Sequence, residues 1–251
     1  IENMAFLCNG MFVPPPVYAK CLSKSLARMH ARVAAEKLLG ESEIRNEAEG
    51  IQWLTSAACE GDAEAQFELG RCHDEGRGVA QDAIAAVRWY EAAAQLGHAA
   101  AVCALGYCYA KGEGVPKDEK AATRLFMRAA HLQLPEGQFN LGVCYSKGRG
   151  MDKPDLKRAV ELYTKAAAQG HKAAAVNLAL CFEKGCGAPP DREAAFRIYE
   201  QVFQEAGCAN AKYHLARCHF QGIGTPPDQK RAAKIMGDSV WNLGGASSAS
   251  R

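Results

Sequence analysis

The sequence has almost no net charge, because 30 basic side chains meet 28 acidic ones for a formal +2. A chain that works mainly on a nucleic-acid backbone carries a strong basic excess, so nucleic acid is not expected among its partners. It also lacks any apolar run approaching the roughly 18 residues that mark a membrane span, and no membrane insertion is expected. The opening Ile1-Glu2-Asn3-Met4 lacks the basic start and apolar stretch of a secretory signal. An isoleucine in first place suggests a processed or truncated start. Acidic residues are missing between Glu2 and Glu36, while Lys20, Lys24, Arg28 and Arg32 recur every four positions. A mitochondrial presequence has that composition; a helix with one solvated basic face is the simpler reading.

Catalytic signatures are missing too. The seven histidines form no H-E-x-x-H spacing, and no local motif assembles a Ser/His/Asp or Cys/His set. Gly112-Glu113-Gly114 and Gly148-Arg149-Gly150 superficially resemble nucleotide-binding loops. Those loops follow a strand and carry more glycines or a Gly-Lys-Ser/Thr ending, whereas these precede a helical pattern. No cofactor, metal or catalytic residue is expected. Strand-type alternation is not evident anywhere.

What is present is a repeat. Leu69-Gly70-Arg71-Cys72-His73 aligns with Leu105-Gly106-Tyr107-Cys108-Tyr109 and Leu141-Gly142-Val143-Cys144-Tyr145. Leu178-Ala179-Leu180-Cys181-Phe182 and Leu215-Ala216-Arg217-Cys218-His219 follow, at successive steps of 36, 36, 37 and 37. Seven residues after each leucine stands Gly-x-Gly: Gly76/Gly78, Gly112/Gly114, Gly148/Gly150, Gly185/Gly187 and Gly222/Gly224. A small residue follows (Ala86, Ala122, Ala159, Ala195, Ala232) and, four later, a bulky one (Tyr90, Phe126, Tyr163, Tyr199, Met236). Self-similarity at such a period marks a repeat architecture.

Each copy reads as two helices. The first runs from about Ala63 to Glu75 and stops at Gly76, since glycine enters the left-handed C′ position without steric cost. The second glycine allows a tight reversal. Asp82, Asp118, Asp191 and Asp228 stand where an aspartate caps the next helix. That helix shows Ala86, Trp89, Tyr90 and Ala93 at i, i+3, i+4 and i+7, a stripe of helical period. Lys111, Lys147 and Lys184 end first helices, where a cation offsets the helix dipole.

From Ala63, Ala65 and Gln66 through Trp89, Tyr90, Ala92, Ala93 and Gly97, the 62–97 copy resembles the Sel1-like repeat, a relative of the tetratricopeptide repeat. Shifting back by 36 exposes a degenerate copy in which Trp53, Ala57, Ala58 and Gly61 align with Trp89, Ala93, Ala94 and Gly97. Its first helix reads as roughly Ala27 to Leu39, ending at Gly40, with Ser42 in the place of the second glycine. The expected fold is all-α, a right-handed αα-superhelix (solenoid) of about six helix-turn-helix repeats. They fall near 26–61, 62–97, 98–133, 134–170, 171–207 and 208–243, as one continuous stack rather than separable domains. Residues 1–25, with Pro14-Pro15-Pro16, form an N-terminal extension, and 244–251 a Gly/Ala/Ser tail of flexible composition.

The repeat explains the 11 cysteines. Five of them, Cys72, Cys108, Cys144, Cys181 and Cys218, share one core column. Stacked equivalents lie about 10 Å apart, too far for a disulfide, which needs Cα atoms within about 7 Å, or for a shared zinc. They read as small buried hydrophobes. Cys103/Cys108 and Cys181/Cys186 are five positions apart, about 140° around a helix, and share no face. Cys186, between two loop glycines, is expected to be the exposed thiol. A secreted, cysteine-rich branch of the family staples each repeat at positions here held by Ala93, Ala129, Ala166 and Val202. Without that staple the thiols read as reduced, in the cytoplasm or in a mitochondrial or other organelle matrix.

The resemblance also implies a function. Such proteins scaffold multiprotein complexes, and their first helices line a concave groove. Carried onto this chain, the groove positions are Phe67, Glu68 and Arg71; Cys103 and Tyr107; Phe139, Asn140 and Val143. They continue with Val176, Asn177 and Leu180, then Tyr213, His214 and Arg217. Such a strip, apolar with two amides, suits an extended peptide or a partner helix; partial packing of these side chains on neighbouring repeats is the competing reading. A non-catalytic adaptor or structural subunit of a larger assembly is thus expected. The alternative is a thiol-dependent redox protein or other enzyme built on the same scaffold.

Overall fold

A left-handed glycine closes the first helix in five of the repeats, and a sixth, Gly207, closes a second helix. In the computed structural model, which describes residues 6–8, 11–13 and 47–237, the helices in chain order are α1 (Glu47–Cys59), α2 (Ala63–Glu75), α3 (Ala83–Gln95), α4 (Ala99–Lys111) and α5 (Glu119–His131). Then follow α6 (Pro135–Lys147), α7 (Leu156–Ala168), α8 (Lys172–Lys184), α9 (Arg192–Ala206), α10 (Ala209–Gln221) and α11 (Gln229–Met236). The expectations for Ala27 to Leu39, for Pro14–Pro16, for the column Lys20, Lys24, Arg28 and Arg32, and for the 244–251 tail lie outside the described residues.

Two short strands were not expected. β1 (Phe6–Cys8) pairs antiparallel with β2 (Met11–Val13), Phe6 opposite Val13 and Cys8 opposite Met11. The residues between them in sequence are Asn9-Gly10, the dipeptide favoured in two-residue hairpin connections.

The chain divides into two compact units, 1–125 and 126–251. In the first, α1 packs on α2, α2 on α3 and α3 on α4; in the second, each helix from α6 to α11 packs on the next. The local rules are the same in both. Asp62 Oδ1 accepts the Ala65 amide at 2.8 Å and starts α2. Ala65, Leu69 and Cys72 then bury one face, Leu69 alone contributing about 1.5–3 kcal/mol. Gly76, at φ +68°, ends the helix by donating to the Cys72 carbonyl. Gly112, Gly148, Gly185 and Gly222 do the same to Cys108, Cys144, Cys181 and Cys218.

The loop then folds back. Asp82 N–H donates to the His73 carbonyl at 2.9 Å, and Asp118, Asp155, Asp191 and Asp228 repeat this clasp on Tyr109, Tyr145, Phe182 and His219. Each of these aspartates caps the second helix through Oδ1. Asp155 joins the set although one extra residue in its loop hides it from the spacing.

The second glycine does more than permit a reversal. A Cβ on Gly114 would lie 2.2 Å from the Ala83 carbonyl oxygen, on Gly187 2.2 Å from that of Leu156, and on Gly224 2.0 Å from that of Arg192. Each loop therefore seats its backbone on the first residue of the preceding repeat's second helix. Gly70 and Gly142 make a similar concession within a repeat, where a Cβ would lie 2.7 Å from the Tyr90 and Tyr163 rings.

Those tyrosines bury their rings and place their hydroxyls on one first-helix column. Tyr90 donates to Asp74 (3.5 Å), Tyr163 to Ser146 (3.3 Å) and Tyr199 to Glu183 (3.2 Å). In the 98–133 repeat the two columns hold Phe126 and Ala110. Donor and acceptor are absent together, as expected where an unpaired buried hydroxyl would be costly.

The cysteine column is core. Cys72, Cys108, Cys144 and Cys218 are buried, Cys181 is half-buried, and none of the five is in a disulfide. Burial pushes the thiols of Cys72, Cys108 and Cys218 up to about 11, far from the thiolate that reactivity requires. The expectation for Cys186 needs correcting. Its amide folds back on the Cys181 carbonyl at 3.0 Å and it is half-buried, while Cys59, the last residue of α1, is exposed. Among the described cysteines, a thiol reagent on the native protein should therefore modify Cys59 first. It should leave Cys72, Cys108, Cys144 and Cys218 until denaturant is added. Peptide mapping that found Cys108 or Cys144 labelled as fast as Cys59 would overturn the core assignment.

Candidate functional site

In residues 1–125 the first-helix face starts from Phe67 on α2, which is half-buried. Its ring lies 4.7 Å from that of His98 and 5.9 Å from Tyr90. His98 is the N-cap of α4: Nδ1 accepts the Ala101 amide at 3.2 Å, while Nε2 is 3.0 Å from Glu64 Oε2. One histidine thus caps its own helix and binds the helix of the preceding repeat by a ring and a carboxylate. Arg71, a turn beyond Phe67, lies 3.1 Å from both Glu68 and Glu75. Burial pulls its guanidinium down, but the two carboxylates more than offset this and hold it above its usual range. On α4, Tyr107 is 43% exposed, whereas Cys103 is buried and leaves the face.

In residues 126–251 the pattern recurs. Phe139 on α6 stacks on His171, the N-cap of α8, at 4.7 Å and 27°, with Tyr163 at 6.1 Å. His171 Nδ1 accepts the Ala174 amide at 3.1 Å, and burial lowers its basicity despite the nearby Glu136. A neutral ring is what the cap needs, since only an unprotonated Nδ1 accepts.

The expected strip of accessible amides is not there. Asn140 is only 7% exposed, so it cannot hold a ligand backbone as anticipated. Asn177 is half-buried. Val143 and Leu180 are half-buried and pack on the core, and Val176 belongs to it. Residues on this face therefore serve repeat packing more than the column reading anticipates.

In this unit the most exposed of the expected groove residues lies on α10. Tyr213 is 54% exposed. His214 beside it turns inward and stacks on Tyr199 at 5.0 Å and 14°. Arg217, one turn on from Tyr213, pairs with Glu183, which also accepts the Tyr199 hydroxyl. Glu183, Glu64, His98 and His171 were not singled out from the sequence. The signal for the histidines was present: Phe67 and His98 are 31 apart, Phe139 and His171 are 32 apart, and the intervening repeats have neither residue at these columns. Among the described residues, no three His, Cys, Asp or Glu side chains gather into a metal-holding group. No described helix is long and apolar enough to cross a membrane.

Comparisons with known proteins agree with this architecture. The Sel1 repeat family model matches residues 27–62, 63–98, 99–134, 135–171, 172–201 and 209–236. The chain is similar to a Sel1 repeat protein from Oxalobacter formigenes, at 28% identity and a TM-score of 0.77, over 85% of this chain and 84% of that one. It is also similar to c5321, a protective antigen of uropathogenic Escherichia coli displaying an SLR fold. There the identity is 28% and the TM-score 0.75, over 86% of this chain and 46% of that longer one. Immunity protein PA5088 from Pseudomonas aeruginosa shares the fold at 18% identity and a TM-score of 0.55. No curated protein matched. Sel1 repeat proteins generally mediate protein–protein interaction, and their scaffold is typically non-catalytic. The chain belongs to the Sel1 repeat family, an all-α solenoid class of the tetratricopeptide-like superfamily.

Proposed function

We propose that this protein is a non-catalytic scaffold or adaptor, a subunit of a larger assembly, that receives partner proteins on the first helices of each unit. One observation carries the reading. Each unit keeps a tyrosine outward on a first helix, Tyr107 and Tyr213, whereas Cys103, Asn140 and Val176 of the same expected face are buried. Exposed tyrosine offers a large apolar ring with a hydrogen-bonding tip, the side chain that dominates protein–protein hot spots. Tyr213 and Arg217 are four residues apart and so share one side of α10. The half-exposed Phe139 ring adds apolar area. The buried, weakly acidic thiols give the redox alternative no comparable support. The reading extends to a reducing compartment, cytoplasm or organelle matrix, where the exposed Cys59 thiol would persist.

The test is the double change Tyr107→Ala with Tyr213→Ala. Partners recovered by affinity purification and quantitative mass spectrometry should fall by about tenfold or more, as when two hot spots are lost. Helical content and melting temperature should stay unchanged, because both rings are outside the core. Charge reversal of the exposed Lys165 on α7 should leave recovery intact. Undiminished recovery by a folded double variant would overturn the reading.

A further inference from the structure

The second helices α9 and α11 enclose a cleft of about 680 Å³ lined by Phe203, Lys230, Arg231, Lys234 and Ile235. Its floor is apolar: Phe203 and Ile235 are half-buried against the core of this unit. Its rim is basic, since Lys230, Arg231 and Lys234 are all exposed. Among the described residues one carboxylate pairs with any of the three cations, Glu200 of α9, at 3.2 Å from Arg231. Among the described residues Lys230 and Lys234 form no ion pair.

Two departures from the repeat meet at this place. Phe203 occupies a column that holds Ala94, Ala130 and Ala167 in earlier repeats, so repeat packing does not require an aromatic ring there. The three cation columns read Ile84, Ala85, Arg88, then Lys120, Ala121, Arg124, then Lys157, Arg158, Glu161, then Glu193, Ala194, Arg197. The last repeat alone carries three cations. Helix stability does not explain them, because Lys230 and Arg231 stand in the first turn of α11, where the helix dipole disfavours positive charge.

We infer that this cleft binds a short acidic segment of a partner protein, an apolar side chain seated on Phe203 and Ile235 and its flanking carboxylates meeting Lys230 and Lys234. The site lies on second helices and stands independently of the first-helix face. A peptide fits better than a lipid surface, because the apolar groups lie beneath the cations as a floor and do not project beyond them as an inserting edge would.

The experiment uses the full chain and a fluorescein-labelled peptide, Glu-Asp-Leu-Phe-Asp-Glu, read by fluorescence anisotropy. Saturable binding is expected. It should weaken at least about tenfold in the Lys230→Glu, Lys234→Glu variant, where attraction becomes repulsion. It should also weaken when salt rises from about 0.1 to 1 M, shortening the screening length from about 10 to 3 Å. Phe203→Ala, which restores the residue of the other repeats, should fold normally and weaken binding at unchanged charge. Lys165→Glu should have no effect. Binding that ignores Phe203→Ala, or no binding at all, overturns the proposal. So does tighter binding after removal of residues 238–251, which would identify this chain's own C-terminal segment as the occupant. Lysine-dependent sedimentation with phosphatidylserine vesicles in place of peptide binding would also overturn it.

Discussion

Replacing Gly187 with alanine should destabilise the 126–251 unit by about 3 kcal/mol or more, well beyond the effect of the same change at Gly185 or Gly170. All three glycines have positive φ, at +77°, +69° and +84°, so each substitution carries about 1–2 kcal/mol of left-handed strain. The surroundings separate them. Around Gly170 a Cβ meets nothing within 4 Å, and at Gly185 it touches Pro190 at 3.3 Å. At Gly187 it would sit 2.2 Å from the Leu156 carbonyl oxygen and 2.4 Å from its carbon. Backbone at a helix start cannot rotate away, so the loop must lift from α7, adding an overpacking cost of about 1–3 kcal/mol. Stability in a repeat array rests on such interfaces between neighbours. A second signature is therefore a lower urea m-value, as the cooperative unit shrinks. Equal midpoints for Gly187→Ala and Gly170→Ala would show that the loop is not seated on α7.

That seat marks where the sequence stops being legible. The first glycine of each pair could be assigned because its role is local: one residue, one positive φ, one carbonyl four back. The second glycine's partner lies 31 residues away, at Leu156, on another repeat, and spacing alone does not reveal it. The same limit hides the Phe67–His98 and Phe139–His171 stacks, which join residues of successive repeats. Asn140 shows a different failure. A position next to a core column reads as outward when a helix has one buried face. Yet α6 buries Gly137, Gln138, Asn140, Leu141, Gly142 and Cys144, an arc too wide for that rule. Conversely, the cysteine column could be read from geometry, since stacking distance rules out cross-links before any coordinates are seen. Asn9-Gly10 is a hairpin signal in the sequence, yet strands of three residues each are too short to show an alternating pattern.

Removing the Glu183 carboxylate should be among the costliest polar changes in the same unit, about 3–5 kcal/mol for Glu183→Ala. Glu183 accepts the hydroxyl of Tyr199, a residue with no exposed surface, and pairs with Arg217. The truncation strands the buried Tyr199 hydroxyl and leaves Arg217, whose side chain is 23% exposed, only partly solvated, and each stranded group costs about 1–3 kcal/mol. Tyr199→Phe alone should cost only about 1 kcal/mol, since the carboxylate keeps its arginine. The informative variant combines them. The 98–133 repeat carries the apolar version of this pair, Ala110 with Phe126, so the columns tolerate it. Glu183→Ala with Tyr199→Phe should therefore be more stable than the two single losses added together, by about 1–2 kcal/mol. Adding Arg217→Leu puts in place the residue that Leu180 holds in the preceding repeat and removes the last stranded charge, so stability should rise again. Denaturant midpoints across these variants measure the coupling directly. Strict additivity would mean that Glu183, Tyr199 and Arg217 act separately, and that the paired appearance of tyrosine and acceptor along the repeats has another origin.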